Sequence, residues 1–300
     1  MPELPDITLY IESLRPRIVG QAIEKVRIFN PFVVRSFEPP IQSLVGKKVE
    51  GLTRIGKRIV FDFEDDTHLV IHLMIAGRFR WSESKKDFKP GNKTIHATLG
   101  FPTGMLTLTE ASSHKRASIT LVQGKVKLRE FDPGGIGIFK CSTKEFTEKL
   151  TAENRTLKRA LTNPRAFDGI GNAYSDEILH AAKLSPLRLT RSLDEAEIER
   201  LLGACRKTLS HWTEELLSEF SGRFPGPGDV TAFRPDFAVH GKFGKPCPTC
   251  GKPVQRIRYA ENETNYCARC QNEDRILADR SLSRLLKDDW PKTLEEMEGA

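Results

Sequence analysis

Two groups of residues in this 300-residue chain could do chemistry. The first is at the start. Removal of Met1 would leave Pro2 as the N-terminus with Glu3 beside it. A proline N-terminus is a secondary amine, and a secondary amine can attack a sugar C1′ carbon and form an iminium ion. An α-amine has an ordinary pKa of about 7.7–8.0, so a fair fraction is neutral and nucleophilic near neutral pH. The positive end of a following helix would lower that value further. Glu3 beside Pro2 reads plainly as a first-turn acid that complements the helix dipole. The second group is four cysteines. Cys247-x-x-Cys250 and Cys267-x-x-Cys270 are separated by 16 residues, a structural zinc spacing. Four thiolates close a tetrahedron and leave no position for a water, so the expected ion is one structural zinc and not a catalytic one. A rubredoxin-like iron site shares the ligand set, and redox-active dithiols are a third reading.

Lys242, Lys245, Lys252, Arg256 and Arg258 crowd the cysteine region, with no acid between 241 and 258. Such a run is usually a solvated face; beside a zinc hairpin it favours phosphate contact. The whole chain carries 47 Lys and Arg against 40 Asp and Glu, a net charge of +7. That surplus suits an anionic partner, nucleic acid being the commonest soluble one. No apolar run is long enough for a membrane span, and the start MPELPDITLY has no signal-peptide core. A cytoplasmic protein is expected, nucleoid-associated if bacterial. In that compartment the C-x-x-C pairs read as metal ligands, not disulfides, and Cys141 and Cys205 as core thiols. Nothing calls for an organic cofactor, and a monomer is expected.

These groups need elements to position them. Leu4, Ile7, Ile11 and Leu14 are spaced for a helix over 3–16, with Pro5 tolerated in its first turn and Pro16 ending it. Short apolar runs at 59–63, 69–73, 104–109 and 117–122 predict strands, and their regular spacing a sandwich or barrel. Residues 82–94 read as a polar loop, and the FDPGGIG stretch (131–137) as an interdomain linker. Helical spacing follows at 143–152, 156–166 (with Pro164 as an earlier stop), 172–182 and 193–220, then a Gly/Pro-rich loop at 221–229. Strands at 254–258 and 264–266 would form a hairpin joined at 259–263, and a last helix is expected over 275–287. Between two of the helices, Gly169-Ile170-Gly171-Asn172 is a tight turn with Asn172 as N-cap, and its free amides could hold a phosphate. Alone the turn is a weak signal; Lys158 and Arg159 just upstream strengthen it.

Four blocks in this order resemble the formamidopyrimidine-DNA glycosylases and the related endonuclease VIII-like enzymes: PELPD at 2–6, GKR at 56–58, TLKRALTNPRAFDGIGNAYSDEIL at 156–179, and VHGKFGKPC…YCARCQ at 239–271. The resemblance implies an α+β multidomain fold: a catalytic β-sandwich domain with a leading helix (1–130), a linker (131–142), a helix–two-turn–helix DNA-binding domain (143–232), a four-cysteine zinc finger (233–275) and a C-terminal extension (276–300). It implies damaged DNA as the partner and a bifunctional glycosylase/abasic-site lyase for oxidised bases. Leu4 favours the formamidopyrimidine and 8-oxoguanine branch over oxidised pyrimidines. Pro2 is then the nucleophile, Glu3 the acid, and Lys57 a contact to the lesion phosphate, although by itself Lys57 reads as an exposed strand lysine. Lys158 and Asn172 become phosphate-binding positions.

The family also flips the damaged nucleotide out of the duplex and fills the void, and here the sequence departs. The usual wedge methionine falls on Ile75. The loop that carries an arginine and a phenylalanine falls near 112–118, where Arg116 or Lys115 stands without the phenylalanine. The hairpin arginine falls on Asn262, flanked by Glu261 and Glu263, with Arg256 or Arg258 as substitutes from the strand. Asp6 stands where glutamate is common. The alternatives are a lesion-binding paralogue with weak or absent chemistry, and a zinc-ribbon interaction protein with no DNA role.

Overall fold

The computed structural model describes residues 1–84, 93–226, 228–259, 262–278 and 291–298, with the backbone alone at 259, 262 and 298. It divides into two units. The first comprises Met1–Pro133 with Trp212–Thr231, and the second Gly134–His211 with Ala232–Ala300.

The first unit is a β-sandwich behind a helix. Helix α1 (Leu4–Ile18) buries Ile7, Tyr10, Leu14 and Ile18 at helical spacing. It runs through Pro16, which was expected to end it. A proline this close to the end removes one ladder bond; the fully buried Ile18 holds the last turn in place, and Arg17 donates to the Ser13 carbonyl at 2.6 Å. The strands are β1 (Lys25–Ile28), β2 (Val49–Ile55), β3 (Arg58–Phe63), β4 (Thr67–His72), β5 (Gly77–Ser82), β6 (Ile95–Phe101), β7 (Gly104–Glu110) and β8 (Ser118–Gln123). They form two antiparallel sheets, ordered β1-β6-β7-β5 and β2-β3-β4-β8. Four of these strands match the apolar runs. β1, β2 and β5 are interrupted by charges or glycines, and β6 by His96, Thr98 and Gly100.

Ile59, Phe61, Leu69, Ile71 and Leu121 face the core between the sheets. Val60, Val70 and Val122 on the opposite face are buried too, with Leu128 packed on them from the short helix α2 (Lys125–Arg129). With both faces covered, β4 reads as an unbroken apolar run. Tyr10 stands edge-on to Phe79 at 5.3 Å, and its hydroxyl accepts from the Phe79 amide at 3.3 Å. The leading helix is thereby fixed to β5.

In the second unit, α3 (Thr143–Thr151), α4 (Leu157–Leu161) and α5 (Asn172–Ala181) precede the long α6 (Glu195–Glu219), which begins in the second unit and ends in the first. α4 is much shorter than the expected 156–166. Pro164 cannot continue it, and Asn163 starts a separate turn by accepting from the amides of Arg165, Ala166 and Phe167. Strands β9 (Gln255–Tyr259) and β10 (Asn262–Tyr266) pair as a hairpin with a tighter connection than the expected 259–263. The hairpin is followed by α7 (Ala268–Asn272) and α8 (Leu294–Glu298). Most of the expected loop at 82–94 and helix at 275–287 lies outside the described residues. Residues 275–278 are not helical. No described helix is long and apolar enough to cross a membrane. Cys141 and Cys205 are buried thiols.

Leu216, Phe220 and Val230 belong to the first unit's core. Phe220→Ala should therefore destabilise that unit by about 3–5 kcal/mol, the usual loss for a buried phenylalanine. Denaturant unfolding checks it, and an unchanged midpoint would mean that this segment does not belong to the core.

Candidate functional site

The chemistry-bearing residues fall into a set in each unit. In the first, Pro2 and Glu3 are both buried at the start of α1. The Asp6 carboxylate accepts from the Glu3 amide at 2.9 Å. Asp6 is thus a helix-capping group, a role that a shorter acid performs as well as glutamate. Burial holds the terminal amine, carried here by Met1, below its ordinary value. Arg78 and Lys57 push the same way, while Glu3 and Asp6 oppose them. Lys57 is partly buried in the two-residue turn between β2 and β3, where Gly56 supplies the positive φ of 59°. It is not a strand lysine. Nearby His72 is held down to about 4 by burial, with Arg58 and Lys57 adding to the effect, and is neutral at physiological pH.

Arg78 was not found from the sequence. In β5 it looks like one of two outward arginines around Phe79. Its Nε donates to the Val230 carbonyl at 2.7 Å, and its Nη1 to the carbonyls of Gly77 (2.7 Å) and Ile75 (3.1 Å). Those three acceptors fix a permanent cation near the amine. They also tie down the turn that presents Ile75, which is 53% exposed. The turn has no room for another residue at Gly77, where a Cβ would lie 2.2 Å from the Leu73 carbonyl oxygen.

The 111–117 loop is organised from below by Glu110, which is almost fully buried. Its carboxylate accepts from the Arg116 and Ala117 amides at 3.0 and 3.2 Å and meets His96 Nε2 at 2.9 Å. The other ring nitrogen of His96 faces the Asn30 amide at 3.0 Å. Lys115 donates back to the Glu110 carbonyl, whereas Arg116 is exposed. Of the two residues expected to substitute for the loop arginine, Arg116 is the one presented outward.

In the second unit, Asp176 on α5 is completely buried. Its Oδ1 accepts from Lys158 Nζ at 2.5 Å, and its Oδ2 meets His240 Nδ1 at 2.7 Å and the Asn265 amide at 3.1 Å. Lys158, expected at a phosphate, is only 7% exposed and also donates to the Asn172 carbonyl at 2.6 Å. Two of its three donors are therefore turned inward, and the residue first of all joins α4 to α5. Asn172 is not the N-cap either. Gly171 occupies that position, and the Asn172 side chain instead donates to the Glu263 carbonyl of the hairpin at 3.0 Å. Next to Asp176, Glu177 accepts from the amides of Ala238, Val239 and His240 at 2.7–2.9 Å. Burial raises its carboxyl above the ordinary value, against the pull of those amides.

The hairpin cations differ from one another. Arg256 lies over the Phe243 ring at 4.2 Å and 3.7 Å from Glu263, whereas Arg258 is exposed. Asn262 begins β10, and its side chain lies outside the described residues.

The four cysteine sulfurs lie within 4.8 Å of one another. Cys247 and Cys270 are 3.9 Å apart, and Cys250 and Cys267 3.4 Å. A tetrahedron with Zn–S bonds of about 2.3 Å has edges of about 3.8 Å, so the cluster fits the ion. Gly251, with φ 75°, turns the first knuckle.

Comparison with known proteins agrees with this geometry. Residues 1–133 match the formamidopyrimidine-DNA glycosylase N-terminal domain, 139–216 that enzyme's helix–two-turn–helix domain, and 244–272 a zinc finger shared with isoleucyl-tRNA synthetase. The formamidopyrimidine-DNA glycosylase of Heliobacterium modesticaldum is 30% identical over 277 residues, covering 90% of this chain and 100% of that one. The Thermus thermophilus enzyme is 32% identical over 281 residues, covering 91% and 99%. The chain belongs to the formamidopyrimidine-DNA glycosylase family. The solved Lactococcus lactis glycosylase, non-covalently bound to DNA containing an abasic site, superposes with a TM-score of 0.77 at 28% identity, over 90% of this chain and 99% of that one. The same enzyme with DNA containing N7-benzyl-formamidopyrimidine gives 0.78, over 90% and 100%.

This family member holds one structural zinc through Cys247, Cys250, Cys267 and Cys270. Breaking its buried Lys158–Asp176 pair should be severe. Asp176→Asn leaves a buried ammonium without its counter-ion and should lower stability by about 3–5 kcal/mol. Thermal and denaturant unfolding of the zinc-loaded protein measure it; a loss under 1 kcal/mol would mean that Lys158 finds water or another acceptor.

Proposed function

We propose that this chain is a bifunctional DNA glycosylase and abasic-site lyase for oxidised purines of the formamidopyrimidine and 8-oxoguanine type. Family membership makes it a DNA glycosylase of base excision repair with damaged DNA as its partner. The observation that carries the proposal is the buried amine end of α1, set among Glu3, Asp6, Lys57 and Arg78.

In the proposed reaction, removal of Met1 frees the Pro2 imino nitrogen. Its lone pair forms a bond to C1′ of the damaged nucleotide as the glycosidic bond breaks, and the base leaves with the bonding electrons. The Pro2 N–H proton passes to the departing base, Glu3 protonates O4′, and the C1′–O4′ bond breaks to leave the N–C1′ iminium. The iminium then acts as electron sink: a C2′ proton is lost, the C3′–O bond breaks and the 3′ phosphate departs. Lys57 takes the lesion phosphate, and Ile75 fills the space left by the flipped nucleotide, an apolar wedge in place of methionine. Arg116, Arg258 and Asn262 contact DNA beside them. Arg256, braced on Phe243 and near Glu263, shapes the hairpin. Lys158 and Asn172 hold the helical turn and the hairpin in register for phosphate binding.

A second reading, a lesion-binding relative without chemistry, draws on the uncharged Asn262 and the acidic Glu263 at the hairpin. Borohydride trapping separates the two. Intact protein whose mass lacks Met1 should form a covalent adduct with formamidopyrimidine, 8-oxoguanine or abasic duplexes, and Pro2→Gly should lose it. Glu3→Gln should reduce base release by about 100-fold or more with lesion binding retained. Binding without any adduct on those duplexes would favour the second reading.

The buried setting of the amine also gives a pH dependence. Arg78 lowers the pKa of the amine that Met1 carries, and in the proposed enzyme the same cation disfavours protonation of the Pro2 nitrogen one residue on. Arg78→Gln should raise the amine pKa and move the acid limb of the trapping-rate profile to higher pH. An unmoved limb would mean that Arg78 serves only the Ile75 turn.

A further inference from the structure

Helix α5 presents Asn172, Asp176 and His180 four residues apart, on one stripe of the helix. Each reaches the zinc-finger segment. Asn172 donates to Glu263, and Asp176 engages Asn265 and His240. His180 Nε2 lies 3.2 Å from Cys247 Sγ. Both partners in this third contact are buried, His180 at 8% and Cys247 at 2% exposed. The ring therefore meets the thiolate away from bulk water. The contact is not needed to complete the metal's ligand set, which the four cysteines already fill. It is also not part of either set of DNA-handling residues.

We propose that His180 is a positioning residue for the zinc centre, its Nε2–H donating to the Cys247 thiolate. Four thiolates around one dication leave an excess of two negative charges in a site with little water. An N–H donor aimed at one sulfur draws off part of that charge. The Cys270 amide, 3.5 Å from Cys267 Sγ, does the same from the backbone. His180 differs because it comes from another domain. The helix that bears Asn172 at its first residue thus grips a metal ligand near its last turn. Zinc loading and the placement of α5 are coupled through one side chain. The proposal rests on the metal site and not on the glycosylase reading.

The test uses the full-length protein and the metals alone. His180→Phe keeps a ring of similar size and removes the donor, while His180→Gln keeps an N–H. Partners of this kind are typically worth about 10–100-fold in metal affinity. His180→Phe should therefore raise the zinc dissociation constant by about that factor in competition with a chelator. In the cobalt(II)-substituted protein it should move the sulfur-to-metal charge-transfer band to longer wavelength, because a sulfur without its hydrogen bond gives up electron density more easily. His180→Gln should recover most of both. Circular dichroism at saturating zinc confirms that each variant is folded. A wild-type band and affinity in His180→Phe would overturn the proposal. So would a band in His180→Gln displaced as far as in His180→Phe, since that would trace the effect to ring packing. If neither variant folds at saturating zinc, the cobalt band of His180→Asn decides on the same two criteria.

Discussion

A single buried carboxylate organises the second unit. Asp176 has no access to solvent, and a lone carboxylate there would be costly to ionise. It is paid for by what surrounds it: the Lys158 ammonium, the His240 ring and the Asn265 amide. Each comes from a different piece of chain, namely α4, the segment after Ala232, and β10. Satisfying one charge thus fixes three elements relative to α5. The same logic explains why Lys158 points inward. An ammonium beside a buried carboxylate is held by a stronger attraction than any exposed phosphate contact could offer in water. Glu177 extends the arrangement by one residue, collecting three successive amides from 238 to 240. The chain between α6 and the finger is thereby fastened to the helix without regular secondary structure of its own.

The first unit solves a different problem. A nucleophilic amine must be neutral, yet the substrate proposed for it is a polyanion that calls for positive charge nearby. Fixed cations meet both needs. Lys57 and Arg78 disfavour the protonated amine, and the same charges attract phosphate. They work only if they stay in place. The glycine-led turn restricts Lys57, and three backbone carbonyls hold Arg78. Glu3 and Asp6 oppose them. Glu3 and Asp6 form the capping box of α1 together, Asp6 accepting from the Glu3 amide and Glu3 from the Asp6 amide, and in the proposed chemistry Glu3 is the acid beside the amine.

What could be read from the sequence follows from how local each signal is. The cysteine ligands were legible because a metal knuckle needs two residues at a fixed short spacing. Pro2 and Glu3 stand out in the sequence because a terminal secondary amine is defined by the terminus alone. Strands such as β4 were legible because both of their faces are apolar. Lys158 and Asn172 could be identified as special from the motif, but not their partners: Asp176 lies 18 residues beyond Lys158, and Glu263 lies 91 beyond Asn172. Arg78, Glu110, Asp176 and His180 carry no pattern in their own neighbourhoods. The importance of Asp176 and His180 comes from His240, Asn265 and Cys247, 64 to 89 residues away, whereas Arg78 and Glu110 combine near partners with distant ones, Val230 and His96. The end of α4 turns on a local competition. Apolar spacing favoured a helix to 166 with Pro164 as an earlier stop, and the proline with the asparagine before it prevailed.

The departures from the family's pattern lie where shape can stand in for identity. At the Ile75 turn the constraint is that an apolar side chain be held outward, and the backbone enforces this through Gly77 and the Arg78 guanidinium. Isoleucine in place of methionine alters the tip of that device and leaves its support intact. The 111–117 loop is similar, since Glu110 binds amides and so is indifferent to which side chains the loop carries. The hairpin is different. In the proposed complex Asn262 brings no charge to the phosphates, where an arginine at that position would bring one. Arg256 does not make up the difference while it is stacked on Phe243 beside Glu263, and Arg258 is on the face left exposed by the alternation of β9. The backbone support of the two loops of the first unit thus does not depend on the side chains they present, and in the proposed reading the change that bears on electrostatic grip is at one end of the finger.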